Sequence, residues 1–121
     1  MKNINEEEGF REAAFRIMGQ EVYENCLKKE WDPDPTRTFG DEIALLHSEV
    51  SEALEAWRDF HTFETHFTKE GKPVGVASEF ADILIRLMHY AHVHRIDLVK
   101  EFDTKMAYNR TRPVRHGGKA L

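Results

Sequence analysis

At 121 residues the chain has room for one compact domain and little for two. Its 40% hydrophobic content excludes disorder over the whole length, and no stretch approaches the roughly 20 apolar residues of a membrane span. The net charge of -5 is unevenly spread: from Lys105 onward there are five bases and no acid, so the preceding part carries about -10 by subtraction, a balance that argues against a nucleic-acid-coating protein. The single cysteine, Cys26, leaves no intrachain disulfide and suits a reducing, cytoplasmic setting. The N-terminal MKNINEEEGF is acidic and has no apolar signal core.

Hydrophobic spacing predicts an all-α domain, a four-helix bundle over 1–121, with no convincing strand. The first helix is expected from about Asn5 to Glu30, with Phe10, Ala14, Ile17, Met18 and Val22 at helical steps, stopped by Pro33 and Pro35. The second is expected from about Asp41 to Asp59, after a break at Gly40, with Asp41 and Glu42 at its positive end. Its apolar stripe is Ile43, Leu46, Val50, Ala53, Leu54 and Trp57. A loop over 61–75 follows, punctuated by Gly71, Pro73 and Gly75. The third helix is expected from about Val76 to His94, with Phe80, Ile83, Leu84, Leu87, Met88 and Ala91 as its apolar face. The fourth opens at Asp97, a favourable N-cap, and ends before Pro113, with Leu98, Val99, Phe102 and Met106 inward. Residues 114–121 read as a basic C-terminal arm.

Chemistry concentrates in two acidic pairs, Glu49-x-x-Glu52 on the second helix and Glu79-x-x-Asp82 on the third. Residues three apart lie side by side on a helix, so each pair aims two carboxylates at one point. Helices packed 8–10 Å apart bring two such pairs together. Leu45, Glu49, Glu52 and Ala56 form one stripe whose apolar ends suggest partial cover. Carboxylates held together away from water repel and lose hydration, and a divalent cation relieves both costs. An all-oxygen set favours a hard ion, Mg2+ or Mn2+. Di-iron bundles use Glu-x-x-His instead, and no His follows any of these acids at that step. His89 and His92 are read as core-edge or surface residues.

On the fourth helix Lys105, Asn109 and Arg112 share one face and offer a point charge, an amide and a planar fork to phosphate oxygens. Trp31, beside the Pro-rich turn, is the better candidate for stacking on a base, whereas Trp57 is read as core. Phe39 and His47 are further aromatic candidates.

Three segments, Leu46-His-Ser-Glu-Val-Ser-Glu-Ala-Leu-Glu-Ala-Trp57, Glu79-Phe-Ala-Asp-Ile-Leu-Ile85 and Lys105-Met-Ala-Tyr-Asn-Arg-Thr-Arg-Pro113, resemble the MazG-like all-alpha NTP pyrophosphatase superfamily over roughly Gly40 to Pro113. The resemblance implies a helical bundle that forms a homodimer or a dimer of dimers, and hydrolysis of a nucleoside triphosphate to the monophosphate and pyrophosphate. It implies Glu49, Glu52, Glu79 and Asp82 as Mg2+ ligands and Lys105, Asn109 and Arg112 as triphosphate contacts. Glu52 is the candidate base, with the choice among the four carboxylates open. One position departs from the family motif, which often reads E-E-x-x-E: Ser48 stands in place of the first Glu and removes a supporting carboxylate. The alternatives are a phosphoribosyl-ATP pyrophosphohydrolase with a similar bundle and a non-catalytic helical interaction module.

Overall fold

The structure is a computed structural model that describes residues 9–29 and 36–114. Four helices dominate it: α1 (Phe10–Lys28), α2 (Phe39–Phe60), α3 (Val76–Val93) and α4 (Leu98–Thr111). The domain is all-α in character, as expected.

Local chemistry sets the helix ends. At the start of α2 the Thr38 hydroxyl accepts from the Asp41 N–H at 3.1 Å, and the Asp41 carboxylate accepts from the Thr38 N–H at 2.9 Å. This reciprocal box satisfies two orphan donors. It carries the helix through Gly40, which is therefore not the break that sequence reading assigned. Asp97 caps α4 as expected, accepting from the Lys100 N–H at 3.0 Å. The tight turn before it places Arg95 in the left-handed region, at φ 56°.

The 61–75 segment is not a plain loop. It folds back as a two-stranded antiparallel hairpin, β1 (His66–Phe67) and β2 (Pro73–Val74), with His66 opposite Val74. Strands this short carry no readable alternation, so sequence reading missed them. Phe60 stacks on His66 at 4.3 Å between ring centroids, and Trp57 stacks on Phe63 at 4.8 Å. Gly75 joins hairpin to α3 with φ at 116°, and a Cβ there would lie 2.8 Å from the Glu64 carbonyl oxygen. Only glycine suits both that backbone and that space.

α3 is the centre of the fold. α2 packs along it most extensively, α1 packs on it next, and α4 touches α1 lightly. A buried Glu42 on α2 bonds His94 at the end of α3 at 3.0 Å, tying the two helices at that end. α4 is held to α1 by an exposed Arg11–Asp103 ion pair at 2.6 Å, with Arg11 also lying over the Phe102 ring. Among the described residues no helix is long and apolar enough to cross a membrane.

The faces differ from those the apolar periodicity indicated. On α2 the inward seam is Glu42, Glu49, Ala53 and Ala56, while Val50, Leu54 and Trp57 are exposed. On α1 the buried positions are Ala13 and Cys26, and Phe10, Ile17 and Met18 face out. On α3 Met88 and Ala91 are buried as expected, but Phe80, Leu84 and Leu87 are exposed; on α4 Val99 is buried and Phe102 exposed. The small side chains of the seam permit close helix approach, and the larger apolar ones are left outside in the single chain. No large side chain among the described residues is fully buried.

Candidate metal centre

Glu49 lies on the inward seam of α2, and Glu79 and Asp82 lie on the first two turns of α3. The packing of the two helices brings one carboxylate oxygen from each of these three residues within 4.8 Å of the others. They grade from buried Glu49 through half-buried Glu79 to exposed Asp82. Glu52 is exposed and stands outside that triad, yet it is close enough to Glu79 for its charge to act on it. The covered stripe expected on α2 is therefore present at Glu49 and Ala56 and opens to solvent at Glu52.

The electrostatics follow from this crowding. Loss of hydration, and then the charges of Glu52 and Asp82, raise the Glu79 pKa above the ordinary glutamate value. The Asp82 carboxyl is raised chiefly by lost hydration and next by Glu49, against an opposing pull from Arg86 and Lys72. One oxygen of Glu79, Oε2, is shielded from solvent with no hydrogen-bond partner among the described residues. An orphaned acceptor in a group of crowded acids has the chemistry of a cation ligand. The donor set is all oxygen and retains excess negative charge, which suits a hard divalent cation.

Two basic residues that sequence reading missed serve this cluster. Arg86 Nε donates to Glu49 Oε1 at 2.7 Å. Arg86 is seven residues after Glu79 and four after Asp82, so its place on their face was readable from spacing. Lys72 reaches Asp82 electrostatically from the hairpin, a non-local approach with no sequence signal.

A cleft of about 760 Å³ opens beside the cluster between α1, α2 and α3, lined among others by Cys26, Arg37, Leu45, Glu49, Asp82 and Arg86. His89 is buried against it, and His92 is exposed and packs on Tyr23 at 4.3 Å between ring centroids.

The other predicted site residues lie elsewhere. Lys105, Asn109 and Arg112 are exposed along α4 and its C-cap, and none of them lines the cleft. Trp31 and the arm over 115–121 fall outside the described residues. Trp57 is not core as expected: it is 38% exposed and covers Phe63 of the connecting segment. His47 is exposed, and Phe39, also exposed, meets His94 edge-on.

The chain matches no known family model, no curated protein and no solved structure.

Proposed function

We propose that the chain is a Mg2+-dependent nucleoside triphosphate pyrophosphohydrolase of the MazG-like kind, cutting a (d)NTP to the (d)NMP and pyrophosphate. The observation that carries this reading is the convergence of Glu49, Glu79 and Asp82, with Glu52 beside Glu79, where two helices meet at the edge of an open cleft. Glu49, Glu79 and Asp82 would hold the ion, with Glu52 as fourth ligand. Mn2+ would suit the same donors.

The bound cation supplies charge neutralisation on the triphosphate and a water of lowered pKa. This chain's own groups do the rest. Glu52, exposed to solvent and adjacent to Glu79, orients the attacking water and accepts its proton. The cleft beside Glu49 and Asp82 holds the nucleotide. Lys105, Asn109 and Arg112 offset negative charge on the departing pyrophosphate when their face of α4 meets the substrate.

The protein works as a homo-oligomer, a dimer or a tetramer, in a reducing cytoplasm. The support is the thin core: Val50, Leu54, Leu84 and Leu87 are each at least 39% exposed in the single chain, on the two helices that carry the acids.

The test is incubation of the full chain with each NTP and dNTP and Mg2+, with products separated by ion-exchange chromatography. Pyrophosphate with the monophosphate is the expected result. Release of orthophosphate points to a different hydrolase, and absence of product under any base or metal sinks the reading in favour of a binding module. Phosphoribosyl-ATP in the same panel separates the histidine-pathway alternative.

A further inference from the structure

Arg86 is placed in an unusual position for a structural counter-ion. It stands on α3 on the same face as Glu79 and Asp82, yet its bond is across to α2, from Nε to Glu49 Oε1. The side chains are 34% and 11% exposed, so the pair is half in the cleft and half in the protein. Nη1 has only a long contact, 3.4 Å, with the Tyr90 hydroxyl, and Nη2 has no hydrogen bond among the described residues. The guanidinium therefore spends its single short bond at Nε and leaves most of its planar fork unused. Arg86 lines the same cleft as Glu49, Asp82, Arg37 and Lys28.

The ion pair also competes with a cation. A carboxylate that ligates a divalent ion shares its electron density with that ion, and a guanidinium at 2.7 Å draws on the same carboxylate. Two positive groups on one carboxylate repel. A phosphate removes the conflict, because it offers the guanidinium a new acceptor of matching bidentate geometry.

We propose that Arg86 is an exchangeable counter-ion, closing on Glu49 in the ion-free protein and turning its fork to a phosphate oxygen of the ligand once Glu49 is engaged by a divalent cation. This rests on the metal-centre reading above. It adds to that reading a phosphate-recognising residue inside the cleft, on α3, independent of the basic face of α4. Arg86 is thus both the group that keeps the acids together without an ion and the group that couples ion binding to phosphate binding.

The experiment is titration of the full chain with Mn2+ followed by electron paramagnetic resonance, and then with inorganic pyrophosphate at saturating Mn2+, for the wild type, Arg86→Gln and Arg86→Lys. Arg86→Gln is expected to bind Mn2+ more tightly and to bind pyrophosphate about tenfold more weakly, the effect of losing one charge-assisted contact. Arg86→Lys keeps the charge without the fork, so Mn2+ affinity stays near wild type while pyrophosphate affinity falls several-fold. An Arg86→Gln protein that binds Mn2+ no tighter, or pyrophosphate as well as the wild type, overturns the exchange. If Arg86→Gln loses its helical circular dichroism, Arg86→Lys decides, and unchanged pyrophosphate affinity overturns it. A wild type that takes up no Mn2+ sinks the metal centre itself, whereas Mn2+ uptake with unaltered variants sinks the role of Arg86 alone.

Discussion

The α2–α3 pair and α4 carry the two halves of the chemistry expected from sequence, and the chain treats them differently. Glu49 is buried beside Ala53 on α2, the helix that packs most extensively on α3, and it meets half-buried Glu79 and exposed Asp82 there. The bases of α4 stand in solvent on a helix that meets α1 lightly, through the Arg11–Asp103 ion pair and Arg11 over the Phe102 ring. A cavity of about 300 Å³ remains where α1, α3 and the start of α4 meet. A buried, ion-paired carboxylate such as Glu49 has fewer accessible rotamers than a solvated lysine. The acidic cluster is thus assembled within one chain, whereas the α4 bases stand in solvent apart from it.

That contrast is broken most decisively at the acids. Glu49→Gln and Asp82→Asn each keep side-chain shape and lose the charge, and each is expected to lower Mg2+-dependent turnover by at least about 100-fold. Far-ultraviolet circular dichroism should be unchanged, and a fully active variant of either kind ends the assignment. On α4, Lys105→Ala removes one solvated phosphate contact and should raise KM by roughly tenfold or less, with Mn2+ binding unaltered. Loss of Mn2+ binding in that variant would show the two halves to be one unit.

The caps sharpen the same contrast at smaller energy. Thr38→Ala breaks the box that starts α2 and should cost about 1 kcal/mol of global stability in urea unfolding. Asp97→Ala removes the equivalent bond from α4, and its effect should appear mainly as faster amide exchange within α4. Equal losses of global stability would place α4 in the same cooperative unit as the seam.

The smallest expected effect is on pH dependence. Glu79 and Asp82 have raised pKa values in the folded protein, so the ion-free fold holds more protons on these groups than the unfolded chain does. Their stabilising contribution is full below the ordinary carboxylate range, about 4, and is lost as pH rises through the raised values. In chelator, Tm should therefore fall less steeply with rising pH for Glu79→Gln than for the wild type, and Mg2+ should raise the wild-type Tm most at the upper end. Parallel profiles for the two proteins would contradict the crowding.

Much of the acidic site was legible because an i, i+3 spacing places two side chains together whatever else the helix does. Glu49, Glu79 and Asp82 needed only that their helices pack on one another. The direction each helix faces was less legible. A stripe of large apolar residues announces that it will be covered, not which molecule covers it, and in the single chain Val50 and Leu54 lie outside the seam that Ala53 and Ala56 fill. Gly40 misled because its low helix propensity was weighed without the Thr38–Asp41 box, which offsets a penalty of similar size. Lys72 was beyond reach, since it arrives by way of strands two residues long.

At the proposed metal centre two alanines of α2 would bear on selectivity between ions. Ala53 and Ala56 are buried one and two turns beyond Glu49, on the helix whose main packing partner is α3. Any change in the spacing of α2 and α3 moves Glu49 against Glu79 and Asp82. Mg2+ demands oxygens at about 2.1 Å, while Ca2+ accepts about 2.4 Å and more ligands. A wider side chain at Ala53 would pry the helices apart like a shim, and a residue that never touches the cation would thereby tune which cation fits.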